Sequence, residues 1–172
     1  FEVAKEEFQF TDNTYFVNTV IDGGPVKKYE EGGWKMQFTA NGVTYEFGKE
    51  DGLRWVNGPG KDYITKFPTP NFWRAPTDND FGEKAQQKLS VWEAASYVRK
   101  TKFDGIEEKN GTYTVKFTVK PSGVEAEVKL AYTINKDGSL TVDATYRALS
   151  DDLPELPRFG FNFELQNRFH NF

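Results

Sequence analysis

Strict alternation of apolar and polar residues between positions 113 and 146 constrains the fold more than any other feature. Apolar side chains occupy every second position in three consecutive runs, 113–119, 124–132 and 140–146. Short turns separate the runs, at Pro121-Ser122-Gly123 and at Asn135-Lys136-Asp137-Gly138. Because successive side chains of a strand point to opposite faces, this pattern predicts an antiparallel meander with one apolar and one polar face.

Aromatic residues supply much of the core-forming material. The 172 residues include 16 Phe, 8 Tyr and 4 Trp. Large rings fill volume quickly, and aromatic residues favour strands over helices. The composition therefore predicts a mostly β protein with a core.

The first sixty residues are strand-like but less regular. Alternation at 8–10 and 15–20 suggests two strands, and 34–38 and 43–47 form a hairpin around Asn41-Gly42. The glycine-rich, charged stretch 23–33 between these pairs indicates a linker. We therefore divide the chain into 1–31, a junction or extra strands from a preceding module, and 32–172, the main domain.

One short helix is predicted near 83–95. The helical spacing of Ala85, Leu89, Trp92 and Ala95 supports it.

Charge and composition exclude several classes of function. The net charge of −4 is spread along the chain without a basic cluster, so nucleic acid is not an expected partner. No apolar run is long enough for a membrane-spanning helix. Cysteine is absent and His170 is the single histidine, which argues against a zinc site or a histidine-dependent triad.

An unusual loop precedes the predicted helix. Pro76 disfavours helix at Ala75, and three Asx residues in succession favour a turn. Two adjacent rings beside an arginine indicate a loop pinned to the body of the domain, and we expect Arg74 to pair with a buried Asp78 or Asp80. The loop motif consists of Asn71, Phe72, Trp73, Arg74, Ala75, Pro76, Asp78, Asn79 and Asp80.

This loop resembles the signature of the β-galactosidase small-chain domain, which lies C-terminal to the barrel of glycoside hydrolase family 2 enzymes. Three further stretches are similar to that family: 43–47 followed by Asp51-Gly52, the helix residue Trp92, and 156–160. The resemblance covers about residues 34–172. It identifies 32–172 as the N-terminal part of a small-chain domain cut from a longer protein.

The resemblance implies an antiparallel β-sandwich of the supersandwich type, as in galactose mutarotase. It also implies that the catalytic glutamates lie on the barrel, outside this chain, so no catalytic residue is expected here. The parent enzyme would cleave terminal β-galactosides, commonly use Mg and Na in its catalytic region, and form a homo-oligomer. Its compartment stays open between bacterial cytoplasm and periplasm.

Asp78 and Asp80 offer a carboxylate pair, but retaining glycosidases need a pair roughly 5 Å apart across a sugar. We interpret both as turn residues that bond backbone amides. A calcium loop starting at Asp78 would place Glu83, not glycine, at its sixth position and Leu89 at its twelfth, so no metal is predicted.

Sugar contact is the remaining candidate chemistry. All four tryptophans, Trp34, Trp55, Trp73 and Trp92, offer rings for stacking, and Trp73 ranks first because loops carry function more often than strands. Arg74 and Arg158 are the polar candidates. We expect a noncatalytic, carbohydrate-binding-type domain that shapes the cleft wall and contacts neighbouring domains. The alternatives are a free-standing carbohydrate-binding module and a mutarotase, which would need a histidine acid.

Overall fold

The computed structural model describes residues 23–82 and 84–167. The alternating runs form a four-stranded antiparallel sheet in the order β10-β9-β8-β7. Its strands are β7 (Arg99–Lys109), β8 (Thr112–Pro121), β9 (Ala126–Ile134) and β10 (Leu140–Ala148). The predicted three-strand meander is confirmed, and β7 extends it by one strand. Val115, Phe117 and Val119 are buried on one face of β8, as the alternation predicts.

The last strand of the meander is less buried than its neighbours. Val142 in β10 is 39% exposed, whereas Val128 on β9 is fully buried. Among the described residues, strand β10 pairs only with β9, so it forms an edge of the described sheet. Residues on an edge strand have neighbours on one side only, which explains the lower burial.

A second antiparallel sheet has five strands in sequence order. They are β1 (Lys27–Glu31), β2 (Lys35–Ala40), β3 (Val43–Gly48), β4 (Gly52–Gly58) and β5 (Lys61–Asp62). The predicted hairpin at Asn41-Gly42 is confirmed: Ala40 pairs with Val43, and both turn residues have positive φ, 45° and 79°. This is the type I′ geometry that matches strand twist.

The stretch predicted as a linker contributes the edge strand β1. All five of its residues pair with β2, from Lys27 opposite Thr39 to Glu31 opposite Lys35. Of the glycines that suggested a linker, Gly32 and Gly33 form the turn after this strand, and Gly23 and Gly24 precede it. The division at 31/32 stays a prediction, and the two strands expected before residue 22 lie outside the described residues, as does His170.

The two large sheets pack face to face through aromatic rings. Phe47 of β3 lies 5.4 Å from Tyr132 and 6.2 Å from Phe117, measured between ring centroids. Phe38 of β2 lies 5.3 Å from Tyr113. The phenol of Tyr45 donates a 2.6 Å hydrogen bond to the carbonyl of Gly138, across the sheets. The predicted mostly β, antiparallel sandwich is confirmed.

A smaller unit joins one side of this sandwich. Strands β6 (Ile64–Asn71) and β11 (Gly160–Leu165) form a two-stranded antiparallel sheet. Three short helices follow β6: α1 (Asp78–Gly82), α2 (Ala85–Lys88) and α3 (Ser90–Tyr97). None of the described helices has the length and apolarity needed to cross a membrane.

The predicted helix at 83–95 is divided rather than continuous. Lys84 has a positive φ of 54°, which an α-helix does not accommodate, and Leu89 leaves helical geometry before α3 begins. Trp92 and Ala95 are fully buried on α3, as predicted.

Candidate functional site

The loop that begins at the end of β6 is anchored by a buried ring. Phe72 is fully buried, and its ring lies 5.8 Å from Trp92 and 6.2 Å from Phe159, stacked on the latter. Its backbone N–H donates a 2.9 Å hydrogen bond to Ser96 Oγ, and that hydroxyl donates to the carbonyl of Trp92 at 2.8 Å. The start of the loop is thereby fixed to α3 and to the segment before β11.

The residues beside Phe72 continue this anchoring. Asn71 Nδ2 donates a 2.8 Å hydrogen bond to the carbonyl of Trp73, closing a tight local turn. Trp73 is half-buried and packs against the edge of the core. One part of its ring therefore supports the loop while the rest meets solvent.

Arg74 and Asp80 close the other end of the loop. Arg74 Nη1 and Nη2 lie 2.6 and 3.0 Å from the two carboxylate oxygens of Asp80. The backbone N–H and the hydroxyl of Thr77 also donate to Asp80, at 2.6 and 2.8 Å. A carboxylate that bonds back to the residue just before its helix acts as a helix cap, here at the start of α1.

These donors fix the protonation state of Asp80. Hydrogen bonds from Arg74 and then from Thr77 hold the pKa of the Asp80 carboxyl well below its usual range. The expected ion pair of the loop is thus found with Asp80 and not with Asp78. It is not buried, however: 40% of the Arg74 side chain and 19% of the Asp80 side chain are exposed. Pro76 disfavours helical geometry at Ala75, and α1 begins only at Asp78, so the pair joins the loop to the first turn of α1 at the surface.

Arg158 comes to the same end of the small sheet. Gly160 pairs with Asn71 in the β6–β11 register, so the residues before Gly160 run beside those after Asn71. Arg158 is exposed and makes no hydrogen bond or ion pair with another described residue. The fold brings Trp73, Arg74 and Arg158 to one end of the small sheet.

The four tryptophans differ in exposure. Trp92 is fully buried and its indole N–H donates to the carbonyl of Pro154 at 3.2 Å, so it serves the core. Trp55 and Trp73 are half-buried, whereas Trp34 is 53% exposed. The alternation suggested that Trp34 shares the face of Met36 and Phe38. The preceding Gly32-Gly33 pair was the signal that it belongs to a turn instead.

The side chains that commonly bind metal ions do not form a cluster in the part of the chain that the structure describes. There, no group of three or more His, Cys, Asp or Glu side chains lies close enough to share an ion. Within the loop, both oxygens of Asp80 accept hydrogen bonds from Arg74 or Thr77.

Comparisons with known proteins agree with this geometry. The sequence model of the family described as beta galactosidase small chain matches residues 39–172, which include the whole loop and β11. A β-galactosidase of Halalkalibacterium halodurans is 43% identical over 109 residues, 62% of this chain and 11% of that protein. One from Clostridium acetobutylicum is 34% identical over 131 residues, 73% of this chain and 14% of that protein.

A shorter relative is similar as well. The β-galactosidase small subunit of Latilactobacillus sakei is 30% identical over 144 residues, 70% of this chain and 43% of that subunit. The chain thus spans less than half the length of each of these relatives. On the family match over residues 39–172, the chain belongs to the β-galactosidase small-chain family.

Proposed function

We propose that this domain is a noncatalytic part of a β-galactosidase, and that it forms an outer wall of the substrate cleft while other domains cleave the galactoside. The observation that carries the proposal is the set of hydrogen-bond partners of the Asp80 carboxylate. Its carboxylate accepts hydrogen bonds from Arg74 and Thr77, and its pKa is lowered. A general acid needs a raised pKa and access to substrate. Asp80 has the opposite electrostatics and a structural set of partners.

Sugar contact in the whole enzyme is assigned to Trp73 and Arg158. Both lie at the loop end of the β6–β11 sheet, where an indole ring and an exposed guanidinium offer stacking and hydrogen bonding. The Arg74 guanidinium already serves Asp80 and the carbonyl of Ala75. Its proposed role is therefore to hold Trp73 in place.

Contacts with neighbouring domains are assigned to the small sheet. Phe67, Phe163 and Leu165 on β6 and β11 are between 40% and 50% exposed. Exposed large apolar side chains on neighbouring strands are typical of contact surfaces. The Mg and Na that the resemblance implies for the parent enzyme are assigned to its catalytic region. The homo-oligomeric parent stays a prediction.

Turnover of a chromogenic β-galactoside by the purified chain tests the proposal. We expect no hydrolysis above the buffer rate, for the chain and for its Asp78→Asn and Asp80→Asn variants. Hydrolysis that disappears on Asp78→Asn would overturn the noncatalytic role.

Calorimetry with lactose separates the free-standing module from the cleft wall. Binding that is lost in Trp73→Ala but kept in Trp55→Ala would favour a free-standing module centred on the loop. Under the cleft-wall proposal, Trp73→Ala leaves any lactose binding of the isolated chain unchanged, because the cleft is incomplete without the other domains.

A further inference from the structure

Trp34 stands at the rim of a cavity that the loop motif does not touch. The cavity has a volume of about 400 Å³ and is lined by the side chains of Trp34, Lys49, Glu50, Asp51 and Arg54. Ligand pockets of small molecules start at roughly 300 Å³. More than half of Trp34 is exposed, so part of its ring is accessible to a ligand.

Two neighbouring hairpin turns build this cavity. Trp34 ends the β1–β2 turn, and residues 49–51 form the β3–β4 turn. The register places Lys35 opposite Gly48, and the backbone N–H of Lys49 donates to the carbonyl of Trp34 at 3.0 Å. The two turns are therefore held together at one end of the five-stranded sheet, where loops commonly carry binding residues.

Gly48 allows the polar side chains of the cavity, Asp51 and Arg54, to approach the backbone of β3 closely. A Cβ at this position would lie 2.8 Å from Arg54 Cδ and 2.8 Å from Asp51 Oδ2. Contacts this short would displace the flexible side chains of Asp51 and Arg54 from their present positions. The absence of a side chain thus lets Asp51 and Arg54 lie directly over the strand.

The polar groups of the cavity suit a neutral, hydroxyl-rich ligand. Arg54 Nη1 lies 3.1 Å from Asp51 Oδ2, and the Arg54 guanidinium lies over the Trp34 ring, 5.4 Å from its centre, so it covers part of that ring. A donor and an acceptor therefore stand side by side next to an aromatic ring. The lining carries two cations, Lys49 and Arg54, and two acids, Glu50 and Asp51. This balance favours neither an anion nor a cation.

A second cavity continues from the first. It has a volume of about 370 Å³, shares Glu50, Asp51 and Arg54 with the first, and extends to Phe67 and Tyr97. Tyr97 is 70% exposed and Phe67 is 40% exposed. Two adjoining cavities of about 400 and 370 Å³, with aromatic side chains in each and polar groups shared between them, have the volume for more than one sugar ring.

We propose that the groove formed by these two cavities binds a neutral saccharide of at least two units, with one pyranose ring packed against the part of the Trp34 ring that Arg54 leaves exposed, hydroxyls bonded to Asp51 and Arg54, and a second unit toward Tyr97. The site is separate from Trp73 and Arg158 and does not require them. The choice of galactose as the sugar unit rests on the proposed function.

The indole N–H signals of the four tryptophans in a ¹⁵N-correlation spectrum test the proposal. Trp34→Ala identifies the signal of Trp34 by its loss. On titration of the chain with lactose we expect a saturable shift of the Trp34 signal, with weaker binding of galactose because it fills one subsite. Trp34→Ala should weaken lactose binding by at least about tenfold, the loss typical of an aromatic anchor. The matched control Trp73→Ala should leave it unchanged.

Two further variants probe the polar and the distal parts of the groove. Asp51→Asn should weaken both sugars, whereas Tyr97→Ala should abolish only the advantage of lactose over galactose. The circular dichroism spectrum at the titration temperature, together with a melting temperature well above it, confirms that each variant is folded. The proposal is overturned if lactose causes no saturable shift in the folded chain. It is also overturned if binding is lost in Trp73→Ala and kept in Trp34→Ala, an outcome that would leave the sugar-contacting loop as the site.

Discussion

At the scale of single residues, the loop depends on a few polar groups that have several partners each. Asp80 accepts from Arg74 and Thr77, and Ser96 Oγ bonds both the N–H of Phe72 and the carbonyl of Trp92. Asp80 is partly exposed, whereas Ser96 is buried. Water can replace lost hydrogen bonds at the first residue but not at the second. The two residues therefore differ in what their removal costs and in how pH affects them.

Asp80→Asn should lower the melting temperature at neutral pH, because it removes the charge that Arg74 and Thr77 stabilise. The folded-state pKa of Asp80 lies below the ordinary value of 3.8. Its stabilisation is therefore complete above that value and is lost as the pH falls toward the folded-state pKa. Thermal melts between pH 7 and pH 2 should show the gap between wild type and variant narrowing below about pH 4.

The control for this prediction is Asp78→Asn, because the Asp78 side chain is exposed at the start of the same helix. A gap between Asp80→Asn and wild type that stays constant down to pH 2 would contradict the structural role of the Asp80 charge.

Ser96→Ala should destabilise the domain by about 1–3 kcal/mol, because it leaves the buried N–H of Phe72 without an acceptor. Denaturant unfolding of the variant measures the loss. Ser90→Ala is the matched control: Ser90 is exposed, and its hydroxyl bonds only the carbonyl of Gln87. Equal stabilities of the two variants would show that the Phe72–Ser96 bond does not anchor the loop.

At the scale of elements, the hairpin turns set the register of the five-stranded sheet. Asn41 and Gly42 both have positive φ, and the two-residue turn places Phe38 opposite Tyr45. A shift by one residue would turn Phe38 and Phe47 to solvent. The geometry of this turn is thus linked directly to the burial of the core rings.

Gly42→Ala should destabilise the domain by about 1–2 kcal/mol, since a residue with a Cβ is strained at a φ of 79°. The matched control is Gly82→Ala at the end of α1, where a Cβ meets no atom within 4 Å. That change should be neutral or slightly stabilising. Equilibrium unfolding in urea compares the two, and a Gly42→Ala variant as stable as wild type would contradict the strained-turn argument.

The elements that sequence alone predicted are those with a local cause. Alternation gave the strands from Thr112 onward, and Asn41-Gly42 gave its hairpin, because both signals lie within a few residues. Strand β1 was interpreted as a linker because its residues, Lys27 to Glu31, show no apolar alternation; its pairing with β2 arises from contacts with another strand. The division of the predicted helix at Lys84 likewise has no composition signal.

The candidate site was predictable only in part, for the same reason. The unusual residues of the loop predicted a turn that is fixed to the body of the domain and contains an ion pair of Arg74. The choice of Asp80 over Asp78, and the half-exposed position of that pair, depend on where α1 starts. The position of Arg158 at the loop end of the small sheet depends on the pairing of β6 with β11, in which Gly160 lies opposite Asn71, about ninety residues away in the sequence.

At the scale of the whole molecule, one hydrophobic core joins the sandwich and the loop unit. In the sandwich, the ring of Phe47 contacts the rings of Phe38, Phe117 and Tyr132. In the loop unit, the smaller unit of β6, β11 and the three helices, the ring of Phe72 contacts the rings of Trp92, Tyr146 and Phe159. The two rings share no ring partner in these contacts, yet both belong to the same cluster of buried residues. A continuous core predicts that both units unfold together.

Phe47→Leu and Phe72→Leu should each destabilise the domain by about 1–2 kcal/mol, less than truncation to alanine. Both should lower the midpoint of one shared unfolding transition. In the double variant the two losses should add to within about 0.5 kcal/mol, because the residues have no common ring partner. Urea unfolding followed by tryptophan fluorescence and by circular dichroism measures all three variants.

The pair Phe47→Leu and Phe117→Leu provides the comparison, because these rings stack at 6.2 Å. The losses of stability in these two variants should not add, because each substitution alone already removes part of the contact between the two rings. Separate transitions for Phe47→Leu and Phe72→Leu, or a coupling between them as large as in the stacked pair, would contradict the arrangement. The first outcome would make the loop unit an independently unfolding part; the second would show that the core transmits repacking from one unit to the other.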